Sequence, residues 1–252
     1  MLPEVPVSGG LTPRSAADDR SSHLHRQVVG CLGAGLPFAV YLLDRWRPTA
    51  QLDSAALDSI SAYYYTSGVP LFVGILAALS VYLLTYRGYD NDWQQQDRAA
   101  ASIAGLAAAL VALFPTGHPV YALRPSWWTQ STGWVHYGAA AILFGAFIYI
   151  ALVLFPKSKP GATNSLPPEK RRRNAFYRVC GVAMILCMVW VAVAMHFESS
   201  IFWAEALALE FFALSWLMKG RADQSLDHAQ LVVRHHMVRM VNSFLRTFQR
   251  EL

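Results

Sequence analysis

The sequence predicts an all-α integral membrane protein, a six-transmembrane-helix bundle followed by a C-terminal cytoplasmic amphipathic helix. Three observations carry this expectation. Six stretches of about 16 to 24 residues hold little or no charge, close to the ~20 that cross a hydrocarbon core as helix. The composition, 54% hydrophobic and only 15% charged, with a mean hydropathy of +0.29, is too apolar for a soluble domain of 252 residues. Of the 21 Lys and Arg residues, 18 fall on one side of a six-span threading. Transmembrane strands would be shorter and would alternate in polarity, which these stretches do not.

The elements follow in order. Residues 1–26 are rich in Pro, Ser, Gly and charge, without the apolar run of a signal peptide, and read as a flexible cytoplasmic N-terminal tail. The spans run approximately from Gln27 to Leu43, Tyr63 to Tyr86, Ala99 to Thr116, Val135 to Phe155, Val179 to Met195 and Ile201 to Met218. Together they form a six-helix transmembrane domain over 27–219. Tyr63, Tyr64, Tyr65, Trp127, Trp128 and Trp134 flank them as residues of an interfacial belt do. Phe114-Pro115-Thr116-Gly117 is a helix stop, because Pro lacks a donor and Gly permits the turn. Small residues such as Gly105 in the third span, and Gly138 and Gly145 in the fourth, allow helices to approach closely. Over 220–252 apolar residues recur every three or four positions, from Leu226 and Ala229 to Phe248 and Leu252, with cations between them. That pattern is an amphipathic helix, suited to the leaflet surface or to pairing in a homo-oligomer or larger membrane complex.

Cations are retained on the cytoplasmic side. Only Arg45, Arg47 and Arg124 lie on the opposite side, so both termini are expected in the cytoplasm. The net charge of +5 does not point to nucleic acid, because beside membrane helices these charges set topology and meet anionic lipid headgroups. Cys31, Cys180 and Cys187 lie within spans and lack CxxC spacing, which indicates buried packing rather than a disulfide or thiolate metal site.

The chemically suggestive residues collect at the external end. Ser59, Ser61 and Tyr63 lead into the second span, His118 follows the third, and His136 opens the fourth. His196 and Glu198 end the fifth, and Glu205 lies about one turn inside the sixth. Imidazole and carboxylate suit zinc or iron, which makes His118, His136, His196 and Glu205 candidate ligands, although no HExxH spacing supports them. Haem is a weaker expectation, since no span carries two well-placed histidines. Glu210 lies near mid-membrane, rotated by about 140° from Glu205, and needs either a proton or a partner such as Ser80, Tyr82 or Ser102.

The strings Ser59-Ile60-Ser61-Ala62-Tyr63-Tyr64-Tyr65, Leu84-Thr85-Tyr86-Arg87-Gly88-Tyr89-Asp90, Phe114-Pro115-Thr116-Gly117 and Gly133-Trp134-Val135-His136 carry a resemblance over roughly residues 28 to 220. The chain resembles an uncharacterised family of six-span bacterial integral membrane proteins and, more distantly, is similar in layout to the Frag1/DRAM/Sfk1 group. The resemblance implies a compact bundle in the bacterial cytoplasmic (inner) membrane and a link to membrane lipid organisation. Two functions are expected from the residues. One is binding of lipid or a partner complex through a polar pocket at the external end. The other is an intramembrane metal-dependent hydrolase acting on a lipid or lipid-linked substrate, with Ser59 or Ser61 near the metal.

Overall fold

The computed structural model describes residues 13–47, 57–88, 92–117, 126–157 and 167–220, with side chains from residue 21 onward. His118 and the amphipathic helix expected beyond Gly220 lie outside these residues. The described residues are all-helical and contain no strand. The helices are α1 (Pro13–Trp46), α2 (Val69–Leu84), α3 (Gln94–Leu113), α4 (Gln130–Tyr149), α5 (Pro168–His196) and α6 (Phe202–Lys219). A 3-10 turn, Ser61–Tyr65, precedes α2, and a π-helical turn, Ile150–Leu154, ends α4.

Each helix packs on the next in sequence, and α6 returns to α1 and closes the ring. Successive helices run in opposite directions, so the connections gather at two ends. One end joins α1 to α2, α3 to α4 and α5 to α6, and is named here for Glu205. The other holds the start of α1, the α2–α3 and α4–α5 connections and the end of α6, and is named for Lys219.

Close approach explains why α1 and α6 can seal the ring. A Cβ on Gly33 would lie 2.7 Å from the Phe212 ring, and one on Gly30 would lie 2.7 Å from Leu217. Only hydrogen fits there, as at other small-residue helix contacts in membranes. The α2–α3 contact has the same basis: a Cβ on Gly105 would meet Leu84 at 2.9 Å, and Ala101, Ala104 and Ala108 continue that smooth face. At the centre Phe147 stacks on Phe212 at 3.6 Å, and toward the Lys219 end Trp216, fully buried, touches Phe212, Tyr86 and Phe155.

The exterior is apolar. Val179, Val182, Leu186, Val189 and Val193 of α5 are exposed, as are Ile103, Leu106 and Leu113 of α3. Such a surface needs an apolar environment. Four segments are long and apolar enough to cross a membrane: Ser21–Trp46, Gln94–Leu113, Gln130–Leu154 and Pro168–His196. The second and sixth expected spans fall short of that measure for different reasons. At 16 residues α2 covers about 24 Å of a core roughly 30 Å thick, whereas α6 carries Glu205, Glu210 and Lys219 within 18 residues.

Two sequence expectations are corrected. Residues 13–26 are not part of a tail but the first turns of α1. Arg26, 1% exposed, donates to the Tyr86 hydroxyl at 3.2 Å. His25 donates to the Tyr82 carbonyl at 2.6 Å, and Gln27 to that of Gly220 at 2.9 Å. Apolarity marks contact with lipid, whereas His25, Arg26 and Gln27 meet the rest of the protein through polar bonds. Likewise Tyr63 does not open the second span. The 3-10 turn ends at Thr66, and Pro70 in the first turn of α2 starts a new helix where its missing N–H costs nothing.

Candidate functional site

The segment from Leu57 to Tyr65 is the base of the Glu205 end. It crosses to the α5–α6 turn, where the Ile201 amide donates to the Asp58 carbonyl at 2.7 Å and the Ser200 hydroxyl donates to the same oxygen at 3.3 Å. Glu198 makes that turn possible by adopting a left-handed conformation, φ 51°. One helical turn into α6, Oε2 of Glu205 accepts the Ile60 amide N–H at 2.7 Å. The carboxylate thereby satisfies a donor at the head of the 3-10 turn, as an acidic cap does at a helix start. Ser59 adds a second cap: its Oγ accepts the Ala62 N–H at 3.1 Å and lies 3.2 Å from Ser61 Oγ.

The end of α3 explains His136. Pro115 stops the helix and leaves the last carbonyls without intrahelical donors. Side chains from other elements supply them. His136 Nδ1 lies 2.6 Å from the Phe114 carbonyl oxygen and therefore carries the proton of that bond. Tyr65 donates its hydroxyl to the Thr116 carbonyl at 2.8 Å, and Trp128 Nε1 donates to the same oxygen at 3.3 Å. Burial raises the Tyr65 phenol to about 12, an effect that its contact with Trp128 opposes. A reciprocal Thr129–Thr132 capping box begins α4 and sets the register that turns His136 inward.

These groups converge on a cavity of about 50 Å³. Ser61, His136 and Glu205 stand on its wall, and Leu36, Phe72, Leu76, Leu143, Phe144 and Leu209 supply apolar surface. His136 is only 2% exposed. Ser59 and Tyr63 are buried behind the wall, with the Tyr63 hydroxyl 3.5 Å from the Leu57 amide and its ring against Phe202. His196 and Glu198 are exposed on the α5–α6 turn and do not line the cavity. The structure thus brings together three of the residues singled out by sequence and leaves those two apart.

Among the described residues no group of three His, Cys, Asp or Glu side chains is placed to hold a metal. A catalytic zinc site usually takes three protein ligands, and His136 with Glu205 supplies two. The cavity is also far too small for a haem. Cys180 and Cys187 are buried free thiols, while Cys31 is exposed. Glu210 does not hydrogen-bond to Ser80, Tyr82 or Ser102: its Oε1 is buried without a hydrogen-bond partner among the described residues.

Sequence reasoning missed Tyr65 and Trp128 as the supports of the α3 terminus, and it missed the backbone N–H of Ile60 as the anchor of Glu205. The helix-stop motif was the available signal for the first two, since a stop inside a bundle leaves carbonyls that some side chain must satisfy. Compared with known proteins, the chain matches no family model, no curated protein and no solved structure, so its function is read from the chemistry of this cavity.

Proposed function

We propose that the chain is a six-span membrane protein that binds the polar terminus of a lipid-like amphiphile in the cavity at the external end of the bundle. One observation carries the reading: a carboxylate and an imidazole, each fixed by a backbone bond, share with Ser61 the wall of a mostly apolar cavity. A small, mostly apolar cavity with a few placed polar groups suits a ligand that is itself mostly apolar with one polar end.

All six helices are counted as spans because α2 and α6 reach the same two ends as the longer helices. Ser67, just before α2, donates to Asp44 at 3.3 Å, and Tyr82 near its far end meets His25. On α6, Glu205 meets Ile60, and Lys219 donates to the Phe155 carbonyl at 2.9 Å. The cation bias then places the Lys219 end and both termini in the cytoplasm. The C-terminal segment would lie on the cytoplasmic leaflet or mediate assembly with a second copy or a larger complex. The resemblance to six-span bacterial proteins agrees with a place in the inner membrane and a role toward its lipids.

Native mass spectrometry of the purified protein tests the reading. A co-purifying amphiphile should survive release from detergent and disappear in Ala140→Leu, which fills the cavity from α4. Retention of the same molecule by that variant would place its site elsewhere. Labelling of single cysteines placed near each terminus, in intact and in opened cells, tests the orientation.

A further inference from the structure

The chemistry of the ligand head can be read from which atoms of the cavity wall are already engaged. Glu205 has given Oε2 to the Ile60 N–H. Its Oε1 receives no hydrogen bond from a described residue and can only accept while the carboxylate is ionised. His136 gives its Nδ1 proton to the Phe114 carbonyl, with the Val111 backbone also beside the ring, and Nε2 of the neutral ring keeps a lone pair that can accept. Ser61 Oγ lies beside Ser59 Oγ, which already accepts the Ala62 N–H. When Ser61 donates to Ser59, its own lone pairs face outward as a third acceptor.

With Glu205 ionised, the wall is acceptor-rich, carries one negative charge and sits among leucine and phenylalanine side chains. A carboxylate in such surroundings is costly unless a cation or strong donors complete it. A phosphate or carboxylate head brings further acceptors and a like charge. A quaternary ammonium brings the charge but no N–H donor. A hydroxyl brings one donor. A primary ammonium brings three donors and the complementary charge.

We propose that the cavity is a binding site for a primary ammonium at the end of an alkyl chain, with Glu205 Oε1, His136 Nε2 and Ser61 Oγ as its three acceptors. The apolar walls take the first methylenes. This rests on the amphiphile reading above and adds the charge class of the head.

The test uses the full chain in a neutral detergent and four soluble probes with one chain length: hexylamine, hexanol, hexanoate and hexyltrimethylammonium. Calorimetric titration should show hexylamine binding at least about tenfold more tightly than each of the others, the preference a single charge-assisted hydrogen bond can give. Glu205→Gln should bring hexylamine to near parity with hexanol, with circular dichroism used to verify the fold. Ala140→Leu should abolish binding of hexylamine, and it serves as the second variant should the Gln substitution fail to fold. Equal binding of hexanoate and hexylamine, or an unchanged preference in folded Glu205→Gln, overturns the ammonium site while leaving an amphiphile cavity in place. Binding of no probe at all, or undiminished binding in Ala140→Leu, removes the cavity as the site and the amphiphile reading with it.

Discussion

The two ends of the bundle satisfy their polar groups in opposite ways. At the Lys219 end, cations are enclosed by rings and carbonyls. Arg26 lies over the Tyr86 ring and donates to its hydroxyl. Lys219 lies over Phe155 and Tyr177 while donating to the Phe155 carbonyl. Lys157 sits 3.7 Å above the Trp93 ring and donates to Gln96 at 2.6 Å. Ring faces attract cations, so each of these groups has a partner within the protein. At the Glu205 end, a carboxylate and an imidazole are each tied to the backbone by one atom, and a cavity lies beside them. Contacts of the first kind engage the cations within the protein, whereas one-sided engagement of the second kind leaves chemistry available to a ligand.

That contrast separates stability from binding, and substitutions can break it. The largest stability effect belongs to the Lys219 end. Trp216→Ala should cost about 3–5 kcal/mol, as removal of a buried aromatic does elsewhere, and leave hexylamine affinity unchanged in the protein that remains folded. Denaturant unfolding in detergent measures the first part and calorimetry the second. Lost affinity with the fold intact would mean that the two ends act as one unit.

Next is Glu205→Ala. It leaves the Ile60 N–H without its acceptor and should cost about 1–3 kcal/mol, less than Trp216→Ala, while abolishing amine binding. A stability loss matching that of Trp216→Ala would make Glu205 chiefly a structural cap. His136→Phe fills the same volume but cannot donate to the Phe114 carbonyl. A loss of about 1–2 kcal/mol is expected, with weaker amine binding as a separate effect. Unaltered affinity in that variant would remove Nε2 from the acceptor set.

The smallest effect is at Tyr65, which supports the α3 terminus without lining the cavity. Tyr65→Phe should cost about 0.5–1 kcal/mol, because Trp128 still donates to the Thr116 carbonyl. It should leave binding intact and change the response to alkali. The folded phenol titrates near 12 and the unfolded one near 10. The unfolded state therefore loses its proton first, and stability that is full below pH 10 declines as pH rises toward 12. The Phe variant should show a flatter thermal-stability profile over that interval. An equally steep decline in the variant would assign the alkaline response to other groups.

The helices were legible to different degrees. The expected third stretch, Ala99 to Thr116, and sixth, Ile201 to Met218, lie close to helices α3 and α6, because long stretches poor in Pro and Gly and rich in Ala and Leu favour a helix. The start of α1 was not legible. Its first turns are charged and polar, and what makes them part of the bundle is contact with Tyr82, Tyr86 and Gly220 from distant segments. The 3-10 turn before α2 was hidden by its aromatic residues, which imitate the entry to a span.

The sequence by itself determined an apolar helical chain, the bias of its cations and a short set of polar residues near one depth. Those properties are local: each depends on the length, charge or order of one stretch. Only the tertiary structure decided that His136 and Glu205 share a cavity with Ser61, that His196 and Glu198 stand outside it, and that Arg26 is buried. The reason is rotational. A helix's sequence places a side chain along the axis, but the face it presents to its neighbours depends on how all the helices pack. Here Gly30 and Gly33 let α1 meet α6 closely, and the Ile60 N–H and Phe114 carbonyl anchor Glu205 and His136 at the cavity wall.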